Sequence, residues 1–216
     1  MEFAKAQEVI NKRVKDKDQT KRKLLWAVGE IIRTKGYRGL GTNKIAKLAG
    51  YDKQLIYRYF GNADRLIEAY VLEKDYWMVF SNKLNTSLNI QNVNLQEMVS
   101  SILENQFTFF LEEMEMQQII IWELTGESDL MRSISNLRES QAEPLLELTD
   151  EYFKNSKINF RVLSALISAG IYYMVLHSNL DEFCGIDIRK AGDQEKVREG
   201  IREIINLAFN HAGQTN

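Results

Sequence analysis

Apolar residues recur along most of this chain at the three- and four-residue spacing of helices that bury one side. From about Gln19 to Lys35, Leu24, Leu25, Val28, Ile31 and Ile32 form a wide apolar stripe, and Gly36 is placed to end that helix. In the short helix that follows, Ile45, Ala46 and Ala49 make one inward stripe, and Ala46 is small enough for a second helix to cross closely. Gly50 supplies the positive φ of a sharp turn, Asp52 is placed to cap the next helix, and Ile56 and Phe60 bury its inner side. A long fourth helix is predicted from Asn62 to about Leu84, with Leu66, Ile67, Tyr70, Val71, Trp77, Met78 and Phe80 inward, and then a polar loop from Asn85 to Asn94. Helical periodicity resumes from Leu95 to Glu113, and the run Ile119 to Trp122 leads to a stop at Gly126. A further helical stretch from Leu130 to about Lys154 contains Pro144, a break or a new start. Asn159 to about Ser178 and Gln194 to about Ala212 are the last two helices. The pattern predicts an all-α fold.

The segment from Thr42 to Phe60 is thus two short helices joined at Gly50, a helix-turn-helix. Its outer face carries Thr42, Asn43 and Lys44 on the first helix and Lys53, Gln54, Leu55, Tyr57, Arg58 and Tyr59 on the second, an unusual surface if its only task were solubility. Charge sharpens the picture. Residues 1–60 hold 15 Lys/Arg against 6 Asp/Glu, whereas residues 61–216 hold 13 against 24, so a formal net charge of −2 conceals a basic N-terminal end and an acidic remainder. Basic residues beside phosphates release counterions and supply affinity independent of sequence, so the segment is expected to bind double-stranded DNA. Residues 1–17 form a charged extension with Phe3, Ala6, Val9 and Ile10 at the rough spacing of a frayed helix, and it reads either as a mobile basic arm or as a further DNA contact.

These residues resemble the DNA-binding domain of the TetR family of bacterial transcriptional regulators. The resemblance covers about the first 65 residues: a long helix from Leu24 to Lys35, the pair Gly36-Tyr37, Ile45-Ala46 with Ala49-Gly50, Ile56-Tyr57 with Tyr59-Phe60, and the opening Asp64-Arg65-Leu66 of a fourth helix. It implies an N-terminal helix-turn-helix domain joined by a long helix to a C-terminal helical domain for effector binding and dimerisation. The corresponding divisions are 1–18 for the charged extension, 19–65 for the DNA-binding domain and 66–216 for the remainder. Four positions depart from the family pattern. Gly41 replaces a Ser or Thr cap, which removes a hydroxyl contact to phosphate that Thr42 is placed to supply. Gln54 replaces Gly or Pro and can pair bidentately with adenine. Leu55 replaces a small hydroxyl residue and either meets a thymine methyl or shields the interface, and Ala63 replaces a phosphate-binding Lys, with Arg65 as a substitute.

The larger domain offers two further features. Val162, Leu163, Leu166, Ile167, Ile171, Met174 and Val175, with Val197, Ile201, Ile204, Ile205 and Ala208, give the last two helices more apolar surface than one domain face requires. They read either as a homodimer interface, centred on Val162, Leu166, Ile171, Val197, Ile201, Ile204, Ile205 and Ala208, or as burial within one subunit. The resemblance implies the former, a four-helix bundle about a two-fold axis. Phe107, Phe110, Met114, Met116, Trp122, Met131, Tyr152, Phe153, Tyr173 and His177 read either as plain core or as the lining of a cavity. The resemblance implies an effector site for a small apolar or aromatic molecule. Phe107, Phe110, Met114, Trp122, Tyr152, Tyr173 and His177 are its candidates, with Tyr173 and His177 as the polar pair.

Other chemistries find little support. The chain has two His and one Cys, no phosphate loop, no nucleophile elbow and no metal-spaced cluster, so neither an enzyme, a metal nor a cofactor is expected. The charged N-terminus does not resemble a signal peptide, no apolar run is expected to reach the ~18 residues of a membrane helix, and a cytoplasmic location follows. The expected function is a homodimeric regulator, a repressor released from its operator by a small molecule. The alternatives are an effector-independent DNA-binding dimer controlled by a protein partner, and a helical interaction module.

Overall fold

The structure, a computed structural model, describes residues 2–78, 80, 94–126 and 128–214, with side chains from residue 16 onward. Its helices are α1 (Glu2–Lys35), α2 (Thr42–Ala49), α3 (Gln54–Phe60), α4 (Ala63–Lys74), α5 (Leu95–Glu112), α6 (Met114–Thr125), α7 (Asp129–Phe153), α8 (Phe160–His177) and α9 (Ala191–Gly213). A 3-10 turn, Tyr37–Gly39, leads from α1 to α2. A single β-bridge, Phe183 with Ile186, is the only β pairing among the described residues.

The chain divides into two compact units, one of residues 1–74 with 121–134 and the other of residues 75–120 with 135–216. In the N-terminal unit, Leu24, Ala27, Val28, Ile31 and Ile32 of α1 are buried with Ile45, Ala46 and Ala49 of α2, Ile56 of α3, and Leu66, Ile67, Tyr70 and Val71 of α4. Gly29 lets Tyr70 reach α1: a Cβ there would lie 2.4 Å from the phenol oxygen. Glu68, also buried, accepts from Arg65 at 2.6 Å and from Ser133 Oγ at 3.0 Å.

Three expectations change. The charged extension continues α1, which runs unbroken from Glu2. The fourth helix stops at Lys74, where buried Asp75 accepts from the Trp77 N–H at 3.0 Å and from Arg138 Nε at 2.6 Å. A carboxylate at this point both caps the next helical turn and pairs with a guanidinium 63 residues away, a partner that local periodicity does not show. Residues 79 and 81–84 of the expected continuation, and 85–93 of the expected loop, fall outside the described residues. Pro144 does not break α7. It and Ser140, whose carbonyl loses its helical donor, are both exposed, so water can satisfy that carbonyl.

In the C-terminal unit, Asn159 Oδ1 caps α8 through the Val162 N–H, and Asn94 Oδ1 caps α5 through the Gln96 and Glu97 N–H groups. Phe153, Phe160 and Phe209 stack into an aromatic cluster with centroids 4.6–5.5 Å apart. Contrary to the sequence expectation, α8 is 18 residues long with a mean hydropathy of 1.4, long and apolar enough by those measures to cross a membrane. Only 17% of it is buried within the chain.

Candidate nucleic-acid interface and effector cleft

The helix-turn-helix is held together by short-range bonds. Gly50 takes up the left-handed conformation at φ 75°, ψ 27° and ends α2, its N–H directed at the carbonyls of Ala46 and Lys47. The Tyr51 N–H continues the turn to the Ala46 carbonyl at 3.0 Å. Asp52 Oδ1 then accepts from the Gln54 N–H at 2.7 Å and so starts α3 as expected. Gly61, at φ 88°, ends α3, and Asn62 Oδ1 starts α4 by accepting from the Arg65 N–H at 2.8 Å. Because Ile56 is fully buried, the orientation of α3 about its own axis is fixed and its opposite side is presented outward.

On that side Lys53, Gln54, Tyr57 and Arg58 are exposed, Tyr57 to 52%, while Leu55 and Tyr59 are half-buried. The Arg58 guanidinium lies 5.7 Å from the Tyr59 ring centre, which holds that cation near the α3 surface. On α2, Asn43 and Lys44 are exposed and Thr42 half-buried. Lys47, exposed one turn beyond Lys44, extends the basic edge and was legible as its i+3 neighbour. Gly41 makes no side-chain cap, and its carbonyl accepts from the Ile45 N–H at 2.9 Å. Arg65 is exposed but spends its charge on Glu68. The arrangement offers donors, one amide and two phenols on a convex, fixed helix, the equipment for phosphate anchoring and major-groove reading.

The expected effector residues do not gather at one site. Phe107 and Phe110 are buried, Met114 is exposed, and Tyr152 packs on Phe209 with centroids 4.7 Å apart. Trp122 belongs to the N-terminal unit, where it stacks on Tyr37 at 5.3 Å. Tyr173 is 52% exposed and stacks on His177, whose Nδ1 is buried without a hydrogen-bond partner. The residue that turns inward is its neighbour, because the buried side of α8 is set by Ile171 and Val175. Tyr172 accepts a bond from Gln106 Nε2 at 3.1 Å, and Gln106, fully buried, also accepts from Ser168 at 3.4 Å. Tyr172 lines a shallow cleft of about 150 Å³ with Phe110, Gln117, Ile120, Val175 and Leu176. Of the expected set only Phe110 borders it. A fully buried Gln on an otherwise apolar helix side was the available signal for this polar centre.

The expected interface residues separate in the same way. Val162, Leu166 and Ile204 are exposed and Val197 is half-buried, whereas Ile171, Ile201, Ile205 and Ala208 are buried in the subunit's own core. Those four therefore present no outer surface. Leu207, exposed to 63%, joins the outer set.

Residues 29–70 match the family model described as bacterial regulatory proteins, tetR family. That segment, α1 to α4 around the helix-turn-helix, is similar to the TetR-family DNA-binding domain. No curated protein matches the chain by sequence. Among solved structures, it is similar to the transcriptional regulator FadR from Bacillus subtilis in complex with stearoyl-CoA, with a TM-score of 0.64 and 18% identity over 85% of this chain and 96% of that one. The fatty acid degradation regulator FadR from Bacillus halodurans gives a TM-score of 0.60 at 18% identity over 86% and 94%. A TetR family transcription regulator from Marinobacter aquaeolei VT8 gives 0.58 at 20% identity over 94% and 97%. At these identities the likeness shows the fold, and this all-α TetR-like fold extends along most of the chain.

Proposed function

We propose that this TetR-like protein acts without catalysis, as a homodimeric repressor that leaves its operator when a small apolar molecule binds the C-terminal unit. The observation that carries the reading is the outer face of α3, where Lys53, Gln54, Tyr57 and Arg58 stand exposed on a helix fixed from behind by Ile56. Thr42, Asn43 and Lys44 of α2, with Leu55 and Tyr59 at the margin of α3, complete the DNA face. Val162 and Leu166 of α8, with Ile204 and Leu207 of α9, are the proposed contact with a second copy, and two-fold symmetry suits paired half-sites. For the effector, the cleft at Tyr172 combines apolar walls with one buried polar centre. Stearoyl-CoA, the ligand in the Bacillus subtilis FadR complex, is the first molecule to try.

One observation favours a second reading. The cleft is shallow and open and has no closed volume comparable to the roughly 300–1,000 Å³ of ordinary small-molecule sites, as expected of a dimer regulated without an effector. Selection of duplexes from a random pool, followed by anisotropy titration at several salt concentrations, tests DNA binding. Adding stearoyl-CoA, and then a library ranked by thermal shift, separates the readings: release from the selected duplex supports induction, and binding unaffected by every stabilising ligand supports effector-independent control.

A further inference from the structure

The first helix continues past the core of its own unit. Inward packing along α1 begins at Thr20, which is buried and donates from Oγ1 to the Asp16 carbonyl at 2.8 Å. Asp16, Lys17, Asp18 and Gln19 are all exposed. Four consecutive residues cover every side of a helix with about 3.6 residues per turn, so α1 has no neighbour at that turn among the described residues. The helix nevertheless runs unbroken from Glu2, and residues 2–19 extend it by roughly 27 Å at about 1.5 Å per residue.

This extension is basic where it leaves the core. Between Lys12 and Lys23 stand seven Lys or Arg against two Asp. Lys17, Lys21, Arg22 and Lys23 form no ion pair among the described residues, whereas Arg65 is spent on Glu68. Arg13, Lys17 and Lys21 are four apart and share one face of α1. Lys21 shows where that face lies, for its ammonium is 5.8 Å from the centre of the ring of Phe60, the last residue of α3. With α3 roughly 10 Å long, no more than the ~12 Å width of a major groove, its C-terminal end stays within side-chain reach of the phosphates that wall the groove. The basic face of α1 thus starts at the edge of the reading helix and leads away from it.

We infer that Arg13, Lys17 and Lys21 form a second DNA contact, which follows the phosphates beside the site read by α3 and reads no base. The inference rests on the DNA-binding reading above and extends it to backbone beyond the helix-turn-helix. Arg13 to Lys21 spans roughly 12 Å of α1, and a duplex of that length carries about seven phosphates on its two strands. Point charges repeated one turn apart suit that repeated charge, whereas the edges of bases call for paired donors and acceptors. A basic helix with Phe3, Ala6, Val9 and Ile10 at helical spacing is also suited to an anionic membrane surface, but the start of the basic face beside α3 favours DNA.

The test uses full-length protein and the duplexes that it selects. Combining Arg13→Gln, Lys17→Gln and Lys21→Gln should weaken every duplex by the same factor and leave the base-preference profile as in wild type. It should also lower the slope of log affinity against log salt by about 2.7 per bound subunit, the counterions of three phosphates. Hydroxyl-radical footprints should lose protected backbone positions at the flanks of the site. Arg13→Gln with Lys17→Gln retains the contact of Lys21 with Phe60 and should lower the slope by about 1.8, so a triple variant that unfolds does not decide the matter. Lys17→Arg with Lys21→Arg keeps the charge and should keep the slope. An unchanged slope in the Gln variants overturns the inference, as does a preference altered at particular base positions. Loss of binding to phosphatidylserine vesicles with duplex affinity intact also overturns it, in favour of a membrane contact. Wild type that binds no duplex removes the DNA-binding reading and this inference together, whereas a wild-type salt slope that the Gln variants share removes the inference alone.

Discussion

Gln54 and Lys53 are adjacent and both exposed at the start of α3, yet their removal should have different consequences. An amide can satisfy the paired donor and acceptor of adenine, so Gln54→Ala should cost about 1–3 kcal/mol at one operator position and little at the others. An ammonium meets phosphate as a point charge, so Lys53→Ala should weaken all duplexes alike and reduce the salt slope by about 1. Anisotropy titration of both variants across single-base operator variants checks the pair, and an unchanged preference profile for Gln54→Ala would remove it from the reading set. Behind this surface, the same unit depends on the absence of a side chain. With a Cβ at residue 29 only 2.4 Å from the Tyr70 oxygen, Gly29→Ala must push Tyr70 off α1 and should cost about 1–3 kcal/mol in urea unfolding. Adding Tyr70→Phe removes the nearest atom but leaves the ring carbon at 2.7 Å, so it should restore only part of the loss.

Between α8 and α9 the chain is held by charge. Asp187 accepts from Arg189 Nε at 2.6 Å and lies 3.2 Å from Lys190 Nζ, and hydrogen bonding to the Arg189 guanidinium holds its carboxyl well below the usual carboxylate range. A depressed folded-state value contributes stability that is fully present above the unfolded value, about 4, and is lost as the pH falls from there through the depressed value. Exchange of the amides in residues 181–193 should therefore accelerate below about pH 4, and Asp187→Asn should abolish that acid dependence while raising exchange at neutral pH. None of this network was read from the sequence, which assigned nothing to residues 179–193 between the last two helices. The elements that were legible have a local cause: the stripe through Ile45, Ala46 and Ala49, the glycine at 50 and the carboxylate at 52 each act within one turn. Asp75 was missed because its partner is 63 residues away, and Pro144 was overread because the exposure of the carbonyl it orphans is a tertiary fact. Likewise, periodicity showed that α8 is apolar but not which side faces inward. It therefore favoured Tyr173 over Tyr172 and grouped Ile171 with Leu166.

For the molecule as a whole, that division of α8 and α9 into inner and outer sides makes the proposed homodimer testable by contrast. Leu166 and Leu207 are 66% and 63% exposed, and Ile204 44%, whereas Ile171 and Ile205 are buried beneath them. A carboxylate on the outer set stays in water in the lone subunit and should change its stability by no more than about 0.5 kcal/mol. At a two-fold contact the same substitution places like charges from both subunits in an apolar interface, with an unpaired ion on each side, and should cost several kcal/mol of association. Leu166→Glu and Leu207→Glu should therefore sediment as folded monomers with unchanged helical circular dichroism. Their loss of operator affinity should approach that of a single half-site, because two linked recognition helices bind far more tightly than either alone. Ile171→Glu should behave differently: it buries the charge inside the subunit and should lower unfolding stability by several kcal/mol at any protein concentration. Wild-type protein that sediments as a monomer at micromolar concentration would contradict the dimer. If Leu166→Glu and Ile171→Glu instead unfold alike, the outer side of α8 is packed within the subunit and the second copy must attach elsewhere.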